Sequence, residues 1–469
     1  MASNILHPDR LFPKSDPGLG VARALYGEVA DLPIVSPHGH TDPAWYADNR
    51  PFRDPAELLV TPDHYLLRMF RSQGLDYGDF GVPLKGEASS TDGREIWRRF
   101  CAHYHLFLGT PSRLWIEHAL QTFFGVEETL SSANADATFD LISEQLAKPD
   151  MRPLAILDRV NVETIATTEG ALDDLAAHRS LQWQGLIGRI RTTYRPDEVA
   201  DPDTPGFAEN LERFAEITGE NTATWAGLMR AHEVRRAEFR EFGATATDHG
   251  TPSAVTCDLD DGDKQKLLDK ALAGRLNDAE AEAFRGQMLT EMARLSAEDG
   301  MVMQLHAGVL RNHDGELLRT HGRHLGADMP VRADLVNGLR PLLERYGREA
   351  NFRLIVFTLD ETTYARELAP MAGYWPALRI GPPWWFYDSP RGMRRYLDAV
   401  VETAGFRNLA GFNDDTRAIL SIPARHDVWR REVCRFLAGL VCEHQLSEDE
   451  AAGLARYLSY QAAKDAYGL

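Results

Sequence analysis

The feature that most constrains the fold is a rhythm: short apolar runs ending in polar residues, each followed by a longer segment with helical spacing. Eight such runs stand at residues 32–36, 162–168, 186–193, 243–248, 301–306, 353–358, 377–381 and 408–412. Helix formers dominate the intervals, as over 264–295, where Ala, Glu, Leu and Arg follow one another with few breakers. Strand and helix alternating eight times predict an α/β chain folded as a (β/α)8 TIM-like barrel, a fold that readily fills 469 residues as one unit. One interval departs from the rhythm. More than a hundred residues separate the first run from the second, and their aromatics (Trp97, Phe100, Tyr104, Phe107, Trp115) recur at helical spacing. The expected organisation is an N-terminal segment with strand one over 1–54, an inserted helical subdomain over 55–150, and the rest of the barrel over 151–469.

Composition narrows the function. A formal charge of −19 disfavours nucleic acid, because binding to its backbone relies on cations that release counterions. An acidic substrate would therefore need arginines placed locally in its pocket. No segment is apolar and long enough for a membrane span or a signal peptide, and the four cysteines form neither a zinc knuckle nor a disulfide framework. A cytoplasmic setting is the simplest reading, and association with further copies of the chain is left open. The acidic loop 257–263 has Asp263 where a calcium loop needs its glycine, which disfavours calcium.

In a parallel barrel the chemistry sits at the carboxyl ends of the strands. The first run leads into His38-Gly39-His40, whose imidazoles, two residues apart on an extended segment, can share one ion. The fourth leads into Asp248 and His249, the fifth into His306, and the eighth into Asn413-Asp414-Asp415-Thr416-Arg417. Histidines and carboxylates thus converge on one rim, which points to a mononuclear metal site. Either Asp414 or Asp415 can be the inward carboxylate, since a strand end does not reveal which neighbour faces the axis. Arg417 is placed to attract an anion or lower a neighbouring acid. None of the seven lysines ends a strand, which disfavours a Schiff base and a carbamylated lysine bridging two metals. Arg195, following the third run, offers a planar fork for a carboxylate. Tyr65, with His64 before it and Arg68 after it, is either a packed aromatic or a phenol tuned as a base. Trp384, Trp385 and Phe386 either stack on a sugar or fill the barrel mouth.

Together these motifs resemble the uronate isomerase family, a divergent branch of the amidohydrolase superfamily, nearly end to end. The resemblance rests on His38-Gly39-His40, Asp63-His64-Tyr65-x-x-Arg68, Arg195-Pro196-Asp197, Asp248-His249-Gly250, Gln304-Leu305-His306-x-Gly308-x-x-Arg311-Asn312, Trp384-Trp385-Phe386-x-Asp388 and Asp415-x-Arg417-x-x-x-Ser421. It implies interconversion of glucuronate with fructuronate and of galacturonate with tagaturonate, with one divalent ion, usually zinc. It also implies His38, His40 and Asp415 as ligands, Tyr65 and Asp415 as the proton-transfer pair, and Arg417 as the residue that tunes Tyr65. Arg195 and His64 then bind the hexuronate, with His249, His306 and Trp384 completing the candidate substrate set. The chain departs from the family at its Asn-Asp-Asp-Thr-Arg motif and at Gly39, where a bulkier residue is common. The rivals are a hydrolase or decarboxylase of the same superfamily, in which the metal activates water, and a non-catalytic sugar-acid binder.

Overall fold

A computed structural model describes residues 6–469; the first five residues of the expected N-terminal segment lie outside the described residues. Parallel strands form one continuous ladder. Ile34–Ser36 pairs with Val162–Ala166, which pairs with Ile190–Arg191. The same two segments continue as Glu169–Gly170 beside Tyr194–Arg195, and the backbone bonds Thr167 N to Arg191 O (2.9 Å) and Glu169 N to Thr193 O (3.1 Å) carry the pairing across the join. Tyr194–Arg195 then meets Ala246–Thr251, followed in order by Val302–Ala307, Leu354–Thr358 and Leu378–Ile380. The eighth run contributes a single bridge, Ile380 to Leu409. Among the described residues no strand pairing joins the eighth run to the first; there His40 N–H donates to Thr416 O at 2.9 Å, just beyond the strand ends. The arrangement is TIM-like, with its loosest seam beside the first and last motifs.

Side-chain alternation along the strands separates two apolar layers. Met303, Leu305, Leu354, Val356, Leu378 and Ile380 face outward into the packing against the surrounding helices. Ala246, Val302, Ile355 and Ala410 face inward and pack with Tyr467, which the C-terminal helix Ala462–Tyr467 inserts among them. The inward positions turn polar along the strands, with Asp248 and Gly250 on the fourth and Gln304 and His306 on the fifth.

Between the first and second strands lie the helices Pro43–Asp48, Pro55–Leu59, His64–Arg71, Gly93–Ala102, Pro111–Phe124, Ala135–Leu146 and Pro153–Arg159. Their core, including Phe70, Trp97 and Phe100, is continuous with Ile34, Val162, Ile165 and Ile190 of the strands. The expected helix over 264–295 is two helices, Asp261–Leu272 and Asp278–Asp299. Gly274 takes φ +63° at the break, and Asn277 and Glu280 cap the second helix reciprocally.

Candidate active site

At the carboxyl ends of the strands opens a cavity of about 680 Å³. Its lining includes His38, His40, His64, Tyr65, Arg195, His306, Trp384, Asp415 and Arg417. His249 does not line it. Residues alternate across a strand, so Asp248 and Gly250 point inward while His249 points outward toward Met288 and Met292 of helix Asp278–Asp299. Its Nε2 lies 2.9 Å from Thr247 Oγ1. This corrects the expectation that His249 binds substrate.

The eighth-strand ambiguity is also resolved. Asp415, at a left-handed φ of +40°, turns its carboxylate into the cavity, whereas Asp414 pairs with His426 Nε2 at 3.1 Å. Asp415 Oδ1 lies 3.5 Å from His38 Nε2 and 3.2 Å from His40 Nε2. Tetrahedral zinc with bonds of about 2.1 Å holds its ligand atoms roughly 3.4 Å apart, so these separations suit one ion. Ligand atoms of His38, His306 and Asp415 also lie within 4.8 Å of one another, as do those of His38, His40 and Asp248. His38 Nε2 and His306 Nε2 are buried without a hydrogen-bond partner, aimed where a cation would satisfy them. Burial pushes His38 down to about 4, keeping it neutral and fit to ligate. Burial alone would raise Asp415, but His38 and His40 outweigh it and hold the carboxyl well below its usual range. The residues fit a divalent metal.

Behind the first strand, Gln304 Nε2 lies 3.3 Å from His38 Nδ1, and Tyr467 donates to Gln304 Oε1 at 2.8 Å. His306 is fixed by Asp248 at 2.6 Å and by ring contacts with Phe357 (4.3 Å) and Trp384 (4.6 Å).

Arg195 is clamped by two carboxylates, Asp248 at 3.1 Å and Asp197 at 2.9 Å, which hold its fork at the cavity wall. Although burial would lower it, Asp248 and Asp197 raise its pKa, so it is always charged. Beside it stands Arg311, half-buried, its Nε buried and lacking a partner. A Cβ on Gly250 would fall 2.7 Å from an Arg311 nitrogen and 2.9 Å from one of Arg195, so glycine lets both guanidiniums approach. Arg311 carries no role in the sequence motifs; its place five residues past His306 is the local signal for it.

Tyr65 and His64 open helix His64–Arg71, whose first turn is capped by Asp63 accepting from Tyr65 N at 2.8 Å. The Tyr65 hydroxyl donates to Asp388 Oδ2 at 2.8 Å, and Arg425 pairs with the same carboxylate. Burial, and then Asp388, push the phenol well above its ordinary range, opposed by Arg425, whose guanidinium lies 5.2 Å from the ring centre. The resemblance implied tuning by Arg417, whose own contacts lie elsewhere. That side chain instead donates to His324 O at 2.7 Å and faces Asp415, Asp328 and Asp63. Neither Asp388 nor Arg425 was assigned a role from sequence. Arg425 sits inside helix Ile422–Cys442, where nothing local marks it.

A family model described as glucuronate isomerase matches residues 19–467. The chain is 53% identical over 466 residues to a uronate isomerase of Rhizobium meliloti, covering 99% of each chain. It is 54% identical over 463 residues to a uronate isomerase of Mesorhizobium japonicum, covering 98% of this chain and 99% of that one. A solved structure of glucuronate isomerase from Caulobacter crescentus superposes with a TM-score of 0.96 at 50% identity, over 98% of this chain and 96% of that one.

Proposed function

The chain belongs to the glucuronate isomerase family and is an aldose–ketose isomerase of uronates, and from that premise we propose that it interconverts D-glucuronate with D-fructuronate and D-galacturonate with D-tagaturonate. The observation that carries this reading is that one cavity holds a metal-ligand set, a pair of arginines and a phenol. His38, His40 and Asp415 are proposed to hold one zinc ion, which when bound supplies a Lewis acid beside the substrate oxygens. Arg195, with His64, takes the substrate carboxylate, and Arg311 adds positive potential on the same side. Trp384 and His306, in ring contact at 4.6 Å, line the same cavity and exclude water from the reacting carbons.

Asp415 assists ring opening by moving a proton at the hemiacetal oxygen. Tyr65 then moves the proton between C2 and C1 of the open chain, an in-place transfer whose efficiency comes from a fixed geometry. The helices over 55–150 are proposed as an inserted subdomain that delivers Tyr65 and His64 to the mouth. The unpaired state of all four cysteines supports a cytoplasmic setting.

Replacing Tyr65 by Phe tests the assignment. Ketose formation from glucuronate and exchange of the C2 hydrogen, both followed by NMR, are expected to vanish while uronate binding persists. Full exchange in that variant refutes the role of Tyr65.

A further inference from the structure

Around Tyr65 the structure contains a buried group that the reaction scheme above leaves without a task. Asp388 lies in the loop between the seventh strand and helix Pro390–Ala404, and it is 6% exposed. One of its oxygens, Oδ2, accepts from the Tyr65 hydroxyl at 2.8 Å and pairs with Arg425; the other, Oδ1, is buried with no hydrogen-bond partner. Arg425 also donates to Asp414 O at 3.3 Å and stacks over Trp115 at 5.0 Å, so the charge that balances Asp388 is itself held on several sides. A hydroxyl has one hydrogen. Because that of Tyr65 points to Asp388, its phenolic oxygen presents only lone pairs to the cavity. A group arranged in this way takes a proton before it gives one.

We propose that Asp388 is the positioning residue and proton reservoir for Tyr65, so that the phenol enters each aldose turnover as an acceptor and passes its own hydroxyl proton to Asp388. The proposal rests on the role of Tyr65 given above. In the forward step the C2–H bond breaks and its proton joins Tyr65 Oη, while the electron pair stays on the substrate as an enediolate. The former Tyr65 hydroxyl proton moves to Asp388 Oδ2, which becomes a neutral acid. After the O2 hydroxyl proton shifts to O1 of the substrate, Tyr65 delivers a proton to C1 and recovers one from Asp388. No other reactant is consumed. Arg425 fixes the carboxylate in line with the phenol; its guanidinium keeps all its protons throughout.

Asp388→Asn is the direct test, since an amide can still hydrogen-bond the phenol but cannot take its proton. The expected result is a fall in kcat of about 100-fold or more with KM within about threefold of the wild type. The primary isotope effect with C2-deuterated glucuronate should rise, a change that partial misfolding would not produce. D388E, which keeps a carboxylate, should be at least about tenfold faster than D388N. Because D388N leaves the Arg425 charge buried without its partner, D388N/R425M serves as the second variant and should show the same loss and the same isotope effect. A folded D388N or D388N/R425M with wild-type kcat, or with lowered kcat and an unchanged isotope effect, overturns the relay. Wild-type enzyme that makes no ketose from either uronate would instead overturn the functional reading on which the relay rests.

Discussion

At the residue scale, the candidate site depends on a few small decisions about which way a side chain faces. His249 and Gly250 are neighbours with opposite tasks. His249 packs outward, so His249→Leu is expected to leave kcat/KM for glucuronate within about threefold of wild type. Gly250 lies beneath both arginines, so Gly250→Ala should displace them and raise KM by about tenfold or more, with a smaller change in kcat. Steady-state kinetics on the two purified variants checks both outcomes, and the reverse pattern would mean that the fourth strand is read on the wrong face. Gly39 is a milder case. A Cβ there would meet its nearest neighbours, among them Asp414 and Thr416, at 3.6 Å, an ordinary contact, so the position has room for a Cβ.

At the scale of elements, the C-terminal helix acts on the site from below. Tyr467 reaches the barrel interior, donates to Gln304 and through it fixes the back of His38. Supporting contacts of this kind orient a ligand imidazole, and losing one typically weakens metal binding about 10–100-fold. Tyr467→Phe is therefore expected to lower ion affinity by that order, read by competition with a chromogenic chelator; unchanged affinity would make the contact a packing feature only. The strands were legible in the sequence because apolar runs have a short period, and His38, His40 and Asp415 could be placed because strand ends fall where the runs stop. Boundaries were less legible. Residues 186–189 form a turn closing helix Ala176–Trp183, with Leu186 N bonded to Leu181 O at 2.9 Å, so the third strand starts at Ile190. Gly243, at φ +83°, ends the preceding helix and delays the fourth strand to Ala246. Asp388, Arg425 and Tyr467 were not legible as site residues. A loop, the interior of a long helix and the chain's last turn carry no local signal of what they face, and only the tertiary packing brings them to Tyr65 and His38.

For the whole molecule, burial of neutral histidines sets the response to acid. Burial holds His232 down to about 3 and His178 to about 4, while an unfolded chain protonates its histidines near 6.5. A group with a depressed folded-state pKa contributes stability that is complete above the unfolded value and is lost as pH falls toward the folded one. The thermal midpoint is therefore expected to drop as pH goes from about 6.5 to about 4, and replacing His232 by Gln should flatten that slope. An unchanged slope in the variant would remove His232 from the account. The charge of −19 over the whole chain contrasts with the arginines gathered in the cavity, Arg195, Arg311, Arg323 and Arg417 among them, which supply the local cations that an acidic protein needs for an anionic substrate. The proposed function depends on distant parts of the chain converging on a single ion. The most direct test strips the protein with a chelator, titrates it with zinc, and follows bound metal and ketose formation from glucuronate in the same samples. Activity should rise linearly and stop at one ion per chain, and Asp415→Asn should lose both binding and activity. Full activity in metal-free protein, or a requirement for two ions, would contradict it.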